Sequence, residues 1–314
     1  MSVKLLCVYH QPAPIVRNET VYPIHAGRAL LKEQVKSGQI SRAQARWLEK
    51  YLPGDDTGDH ISALNPYLNE MTALYWAWKN YDKLDNPDYI GLMHYRRQFW
   101  LKTDLSAPDY LTAIGCTSTD VERLMRDCAA ISLTLTGKDE TLRRHLQIFG
   151  DDKLLDVVLD ILKETEPEHF EQYRYLAEDK PVTAMRNMFI LPRETFFHYC
   201  GWIFRILFEL QKRCEDFYCK RNAGYTAEIL TTLYLQYLRE QGKVIREVDM
   251  LYEEDMFPVG LGRKIKAFRR YLAARLCPNE KYERFERMRQ IRNKYVKPIL
   301  CQFEKQQAEG LWKK

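Results

Sequence analysis

Asp88-Tyr-Ile-Gly-Leu-Met-His-Tyr-Arg-Arg97 decides how this chain is read. Asn86-Pro87 opens the segment as a turn signal, and Tyr89–Met93 is too short an apolar run for a helix. That pattern predicts a buried strand. The strand runs out into His94, Arg96 and Arg97, so it carries fixed donors to a sheet end. Working outward, Val3–Tyr9 is a second β-rich run, ended by Gln11-Pro-Ala-Pro14. Further strands are predicted over 129–135, 184–191 and 244–248. Helices are predicted over 26–37, 41–51 with Ser41 as N-cap, 65–80, 119–128, 193–217 and 226–239. A charged helical stretch covers 138–178. Asn65-Pro66 supplies a cap and a first-turn proline for the 65–80 helix. Strands alternating with helices argue an α/β sheet, whose ligands bind outside the carboxyl ends of the strands.

The 314 residues are 46% hydrophobic and 29% charged, which excludes collagen-like and wholly disordered chains. No window approaches 18 uninterrupted apolar residues, so no transmembrane helix is expected, and the start lacks the apolar core of an export signal. The eight cysteines form no CxxC pair, so reduced thiols in a cytoplasmic protein are expected rather than a zinc ribbon. The net charge of +5 is uneven. Residues 261–314 hold 16 Lys/Arg against 5 Asp/Glu, while the rest of the chain is net negative. In 264–276, Ile265, Phe268, Leu272 and Leu276 recur at helical spacing among cations. Such a helix either packs on its own domain or lies on an anionic membrane surface. Basic residues alone are no nucleic-acid motif, and no nucleic-acid partner is expected.

Four stretches could carry chemistry. Arg96 and Arg97 offer forks that match phosphate oxygens, and His94 could ligate a metal or donate to a phosphate. Gly54-Asp-Asp-Thr-Gly-Asp-His-Ile-Ser62 packs Asp55, Asp56 and Asp59 onto a glycine-flexed loop. That loop suits a cation or sugar hydroxyls, or is a solvated turn. Pro23-Ile-His-Ala-Gly-Arg28 opens a helix whose N–H groups suit an anion. Asn222-Ala-Gly-Tyr-Thr-Ala-Glu228 sets Glu228 in a first helical turn, two residues after an N-cap at Tyr225 or Thr226. There it favours the helix dipole or serves as a general base. Rossmann, P-loop, GxSxG and HExxH motifs are absent. His145, His169 and His198 are read as structural.

Five ordered blocks together resemble one family: Tyr22–Gly27, Gly54–Ser62, Glu70–Asn80, Asp88–Arg97 and Arg186–Ile190. They resemble the bacterial capsular and exopolysaccharide biosynthesis proteins, a glycosyltransferase-like domain family long labelled as of unknown function. The likeness covers about residues 3–250, and His60 departs from it where Asn is expected. It implies a GT-A-like mixed sheet flanked by helices, a glycosyltransferase-like domain over 1–255; the basic amphipathic helical C-terminal extension expected over 256–314 lies outside the likeness. It implies transfer of a sugar from a nucleotide-sugar donor, UDP-linked, to a surface, capsular or lipopolysaccharide acceptor; some members are regarded as galactofuranosyltransferases. His94–Arg97 would occupy the strand end where many GT-A enzymes keep Asp-x-Asp, which is absent, so Mn or Mg use stays open. Glu228 would be the base, with Asp59 and Arg96 also catalytic. His10, His25, Arg28, Asp55, Asp56, His94 and Arg97 would hold the donor, Asn187 and Glu70 the acceptor. A lipid-linked acceptor would fit a peripheral position on the inner face of the cell membrane. The alternative is a non-catalytic glycan- or nucleotide-binding partner in polysaccharide assembly.

Overall fold

β1 (Val3–Tyr9) is buried on both faces, and its side chains divide between two cores. Leu6 and Val8 enter one; Val3, Leu5, Cys7 and Tyr9 enter the other. A strand covered on both sides reads as a continuous apolar run, which is why β1 was legible. The computed structural model describes residues 1–134, 140–181, 186–219, 222–257 and 280–307, with Gly262, Ile265, Phe268, Arg269 and Leu272.

β1 pairs in parallel with β2 (Val21–His25) and β3 (Tyr89–His94). The other strands are β4 (Arg97–Trp100), β5 (Ala130–Leu133), β6 (Phe189–Pro192) and β7 (Ile245–Tyr252). β3 pairs antiparallel with β6 along Tyr89–Leu92 and with β4 at His94↔Arg97. β4 continues onto β7, β7 onto β5, and β5 onto β6. The sheet is therefore mixed, and Asp88–Arg97 lies at its branch point.

One face is covered by α3 (Asn65–Leu68), α4 (Met71–Lys79), α7 (Leu142–Phe149), α8 (Lys153–Thr165), α9 (Phe170–Glu178), α10 (Arg193–Arg213) and α11 (Asn222–Glu240). The other is covered by α1 (Leu31–Lys36), α2 (Arg42–Tyr51), α5 (Tyr110–Ala113), α6 (Ser118–Met125), α12 (Glu253–Met256), α13 (Glu280–Ile291) and α14 (Lys297–Gln306). Ser41 caps α2 through a reciprocal capping box with Gln44.

Several expectations change. β2 was not foreseen because Pro23 interrupts it; β2 is the edge strand, where a missing N–H is tolerated. The 26–37 helix shrinks to a 3₁₀ turn and α1. The 65–80 helix breaks at Asn69, whose φ is 50°, and Asn65 Nδ2 holds the break by donating to Asn69 O (2.7 Å). The 138–178 stretch is three helices where described. The strand expected over 184–191 begins at Phe189; residues 182–185 lie outside the described set. α11 starts at Asn222, so Glu228 sits in its second turn, not two residues past a cap.

The expected C-terminal extension is partly drawn into the body. Met288, Ile291, Tyr295, Val296 and Phe303 belong to the second core. Trp47 Nε1 donates to Gln306 Oε1 (3.2 Å), and the Tyr295 hydroxyl meets the carbonyls of Leu105 and Ala107 at 2.8 and 2.9 Å. Ile265, Phe268 and Leu272, by contrast, are helical and exposed. Leu276 and most of 258–279 lie outside the described residues.

Candidate active site

Parallel pairing aligns the carboxyl ends of three strands. Tyr9 pairs with His25 and Val8 with His94, so His10, His25 and His94 share one edge. Tyr95 and Arg96 form the turn from β3 to β4, and Arg97 is the first residue of β4. The Tyr95 ring stacks on the buried Tyr9 ring at 5.0 Å, and the Arg96 carbonyl accepts from Glu253 N (2.8 Å). The turn that carries both arginines is thus anchored from two sides.

The corner after β2 is closed by the chain's own groups. Gly27 takes φ +77°, a conformation that favours glycine. Asp55, fully buried, accepts four hydrogen bonds. Gly27 N and Thr72 Oγ1 reach Oδ2 at 3.0 and 2.7 Å; Arg28 N and Ser62 Oγ reach Oδ1 at 3.1 and 2.5 Å. The anion at this helix start is therefore Asp55 itself. With no exposed surface left, Asp55 holds the loop rather than a donor, which corrects its expected role. Arg28 Nε donates to His25 Nδ1 (2.8 Å), and its Nη2 donates to the carbonyls of Leu48 and Leu52 at 2.9 and 2.6 Å. Arg28 anchors the end of α2 and orients His25. Burial, then the Arg28 charge, pushes His25 down to about 3, so the imidazole is neutral with its proton on Nε2.

The corner after β3 is built differently. The break at Asn69 leaves Glu70 at the head of α4, where its carboxylate makes no capping bond. Gly224 lets α11 pass this kink: a Cβ there would sit 2.0 Å from Asn69 Nδ2. Across that contact runs a buried polar chain. The Tyr199 hydroxyl lies 2.7 Å from Thr231 Oγ1, which donates to Asn187 Oδ1 (2.6 Å). Asn187 Nδ2 donates to Glu70 Oε1 (2.7 Å). The acceptor role of Asn187 Oδ1 fixes the amide so that N–H faces the carboxylate. His94 Nε2 lies 3.7 Å from the same Oε1, buried and without a hydrogen bond.

Around this pair stand Arg96, Arg97 and Arg186. Burial lowers the basicity of His94; Glu70 opposes that, and all three arginines add to it. Arg97 is lowered by burial, then by Arg186 and Arg96, with Glu228 opposing. Among the described residues none of the three arginines forms an ion pair within 4 Å. A cationic recess with a held carboxylate beside it can bind a multivalent oxyanion and orient a hydroxyl.

His94, Arg96, Arg97, Asn187, Glu70 and Glu228 are thus brought together, with His10 and His25 along the same edge. Asp56 sits beside Arg28, in the other corner. Asp59 is not brought in. Its carbonyl accepts from Asn80 Nδ2 (2.8 Å) and its carboxylate from Tyr75, toward the far end of α4 from Glu70. At 1.5 Å per residue, Asn80 is about 15 Å along the chain axis from Glu70. A catalytic place for Asp59 is accordingly withdrawn. The metal expectation at His94 lacks a donor set: no group of three His, Cys, Asp or Glu is gathered among the described residues. Arg186, Thr231 and Tyr199 were missed. Arg186 adjoins Asn187 in sequence, but only the sheet brings it to His94. A groove of about 730 Å³ between residues 15–18 and α14 contains none of these groups, so charge rather than void volume locates the site.

The apo structure of the bifunctional glycosyltransferase WbbM superposes on this chain with a TM-score of 0.66 at 24% identity. The match covers 80% of this chain and 45% of that one, so this chain spans less than half of WbbM's length there. What they share is the fold. No curated protein matches the sequence significantly. Residues 4–240 match the family described as Domain of unknown function (DUF4422), and the chain belongs to that family.

Proposed function

We propose that this chain is a glycosyltransferase of GT-A type that moves a sugar from a nucleotide-sugar donor to a carbohydrate acceptor. One observation carries the reading: Arg96, Arg97 and Arg186 stand unpaired among the described residues, beside Glu70, at the carboxyl ends of the strands. Glycosyl transfer needs that set. The bond from the anomeric carbon to the diphosphate oxygen breaks through an oxocarbenium-like state, and charge builds on the leaving diphosphate. Arg97, half-buried, and Arg96, exposed over the Tyr95 ring, hold that charge. Glu228 takes the proton from the acceptor hydroxyl as its oxygen bonds the anomeric carbon. Glu70, fixed by Asn187, accepts a hydrogen bond from the acceptor. His25 offers Nε2–H, and His10 its exposed ring, to the nucleotide. UDP is the nucleotide we favour, galactofuranose the sugar, and a growing surface polysaccharide the acceptor.

The place of work in this reading is the inner face of the cell membrane. Ile265, Phe268 and Leu272 are exposed at helical spacing in a segment rich in Lys and Arg, which complements an anionic bilayer.

Thermal-shift titration against UDP, GDP, CMP and dTDP tests the function, because a ligand at a hundred times its Kd stabilises by about 2.7 kcal/mol. A shift with one nucleotide, and release of that nucleotide from its sugar conjugates, is expected. Binding without release would favour a non-catalytic glycan-assembly partner. No shift with any nucleotide would overturn the reading.

A further inference from the structure

Three arginines lie around the His94–Glu70 pair, whose facing atoms stand 3.7 Å apart. The His94–Arg97 turn supplies two, and Arg186 arrives from the segment before β6. The groups facing them are His94, neutral through burial, Glu70, already engaged by Asn187, and Glu228 on α11. No three-donor set for a cation is gathered among the described residues. The undescribed residues next to Arg186, Val182-Thr-Ala-Met185, contain no carboxylate or imidazole.

Cations held near one another repel; burial first, then Arg186 and Arg96, lowers the basicity of Arg97. An anion bound between them removes that repulsion; a divalent cation would add to it. A nucleotide-sugar diphosphate carries two negative charges on adjacent phosphates, and three planar forks can neutralise both with directed hydrogen bonds.

We infer that Arg186 completes a three-arginine cradle with Arg96 and Arg97 that holds the donor's diphosphate directly, with no bridging divalent cation. The inference rests on the transferase reading above. It adds a binding residue, Arg186, and it assigns to guanidinium groups the charge neutralisation that a metal performs elsewhere. Arg186 is tied through the adjacent Asn187 to Glu70, so the diphosphate and the acceptor carboxylate are registered by neighbouring residues of one segment.

The experiment is calorimetric titration of the full chain with UDP, UMP and uridine, in excess EDTA and again with Mg or Mn; if the screen above selects another base, its three forms are used. UDP affinity should agree within about threefold between EDTA and metal. Arg186→Ala should weaken UDP by about tenfold or more, the loss expected for a charge-assisted pair. It should leave uridine unchanged, and Arg186→Lys should recover only part. UDP binding that needs Mg or Mn overturns the cradle while leaving the transferase reading intact. Equal UDP affinity in Arg186→Ala, with the fold confirmed by its melting curve, removes Arg186 from the cradle. Absence of nucleotide binding in every condition overturns the transferase reading and the cradle with it. The EDTA comparison uses the unaltered chain, so it decides even if a variant fails to fold.

Discussion

The corners after β2 and β3 are neighbours on one sheet edge, yet their polar groups are in opposite states. After β2, Asp55 accepts four hydrogen bonds and Arg28 is spent on His25 and two carbonyls. After β3, three arginines lack an ion-pair partner among the described residues and His94 Nε2 has no hydrogen bond. Thr72 joins the two, bonding Asp55 and contacting Asn69 O beside Glu70 at 3.2 Å. A closed network stabilises the fold; an open one of like charge is tolerated where a ligand completes it. Both corners contain a carboxylate, a histidine and arginine, so composition alone cannot separate them.

The largest expected effect lies in the open corner. Glu228→Gln keeps shape and loses the base, so transfer should fall by about 10²-fold or more with the melting temperature nearly unchanged. Near-normal turnover in a donor-to-acceptor assay would remove Glu228 from that role. In the closed corner the sign reverses. Asp55→Ala strands two backbone N–H groups and two hydroxyls in a buried site, at a cost of about 3–5 kcal/mol. Its melting temperature should drop by about 10 °C, while the molecules that remain folded bind nucleotide normally. Weakened binding with unchanged melting would make Asp55 a ligand contact after all.

Each corner also holds a histidine of lowered basicity. His25 is held to about 3 by burial and Arg28, and burial lowers His94 as well. Unfolded histidine titrates near 6.5, so between about pH 3 and 6.5 the unfolded chain binds a proton that folded His25 does not. The stability that neutral His25 contributes is present above about pH 6.5 and is lost as pH falls toward 3, by up to about 1.4 kcal/mol per unit, and His94 adds a loss of the same sign below pH 6.5. Chemical denaturation across that window should show the decline, and His25→Gln should shallow it. An unchanged slope in the variant would mean that His25 is not buried neutral. The smallest effect on the site belongs to the tail. Exchanging Ile265, Phe268 and Leu272 for serine should abolish sedimentation with phosphatidylglycerol vesicles and leave nucleotide binding untouched. Retained sedimentation would move the membrane contact elsewhere.

Much of the sheet was legible where strands are buried on both faces. β1, β3 and β6 read as apolar runs because nothing on either side needs a polar partner. β2 hid behind Pro23, which only an edge position excuses, and β4 hid behind two arginines that looked like the end of β3 rather than a turn into a new strand. The candidate residues were legible as types: His94, Arg96, Arg97, Asn187, Glu70 and Glu228 were named from sequence, and the fold gathers them. Asp55 and Asp59 share a loop with ordinary ligand chemistry, and nothing local says which neighbours they meet.

Local patterning was enough for the α/β class, the histidines and arginines at the ends of apolar runs, and the basic C-terminal segment. These follow from periodicity and charge, which act over a few residues. Which polar groups are already satisfied emerges only when the chain is folded. Asp55 is closed off by Ser62 and Thr72, and Glu70 is held by Asn187, 117 positions away. Hydrogen bonds and ion pairs act over a few ångströms whatever the separation along the chain, so what is free to meet a ligand is a property of the folded contact set.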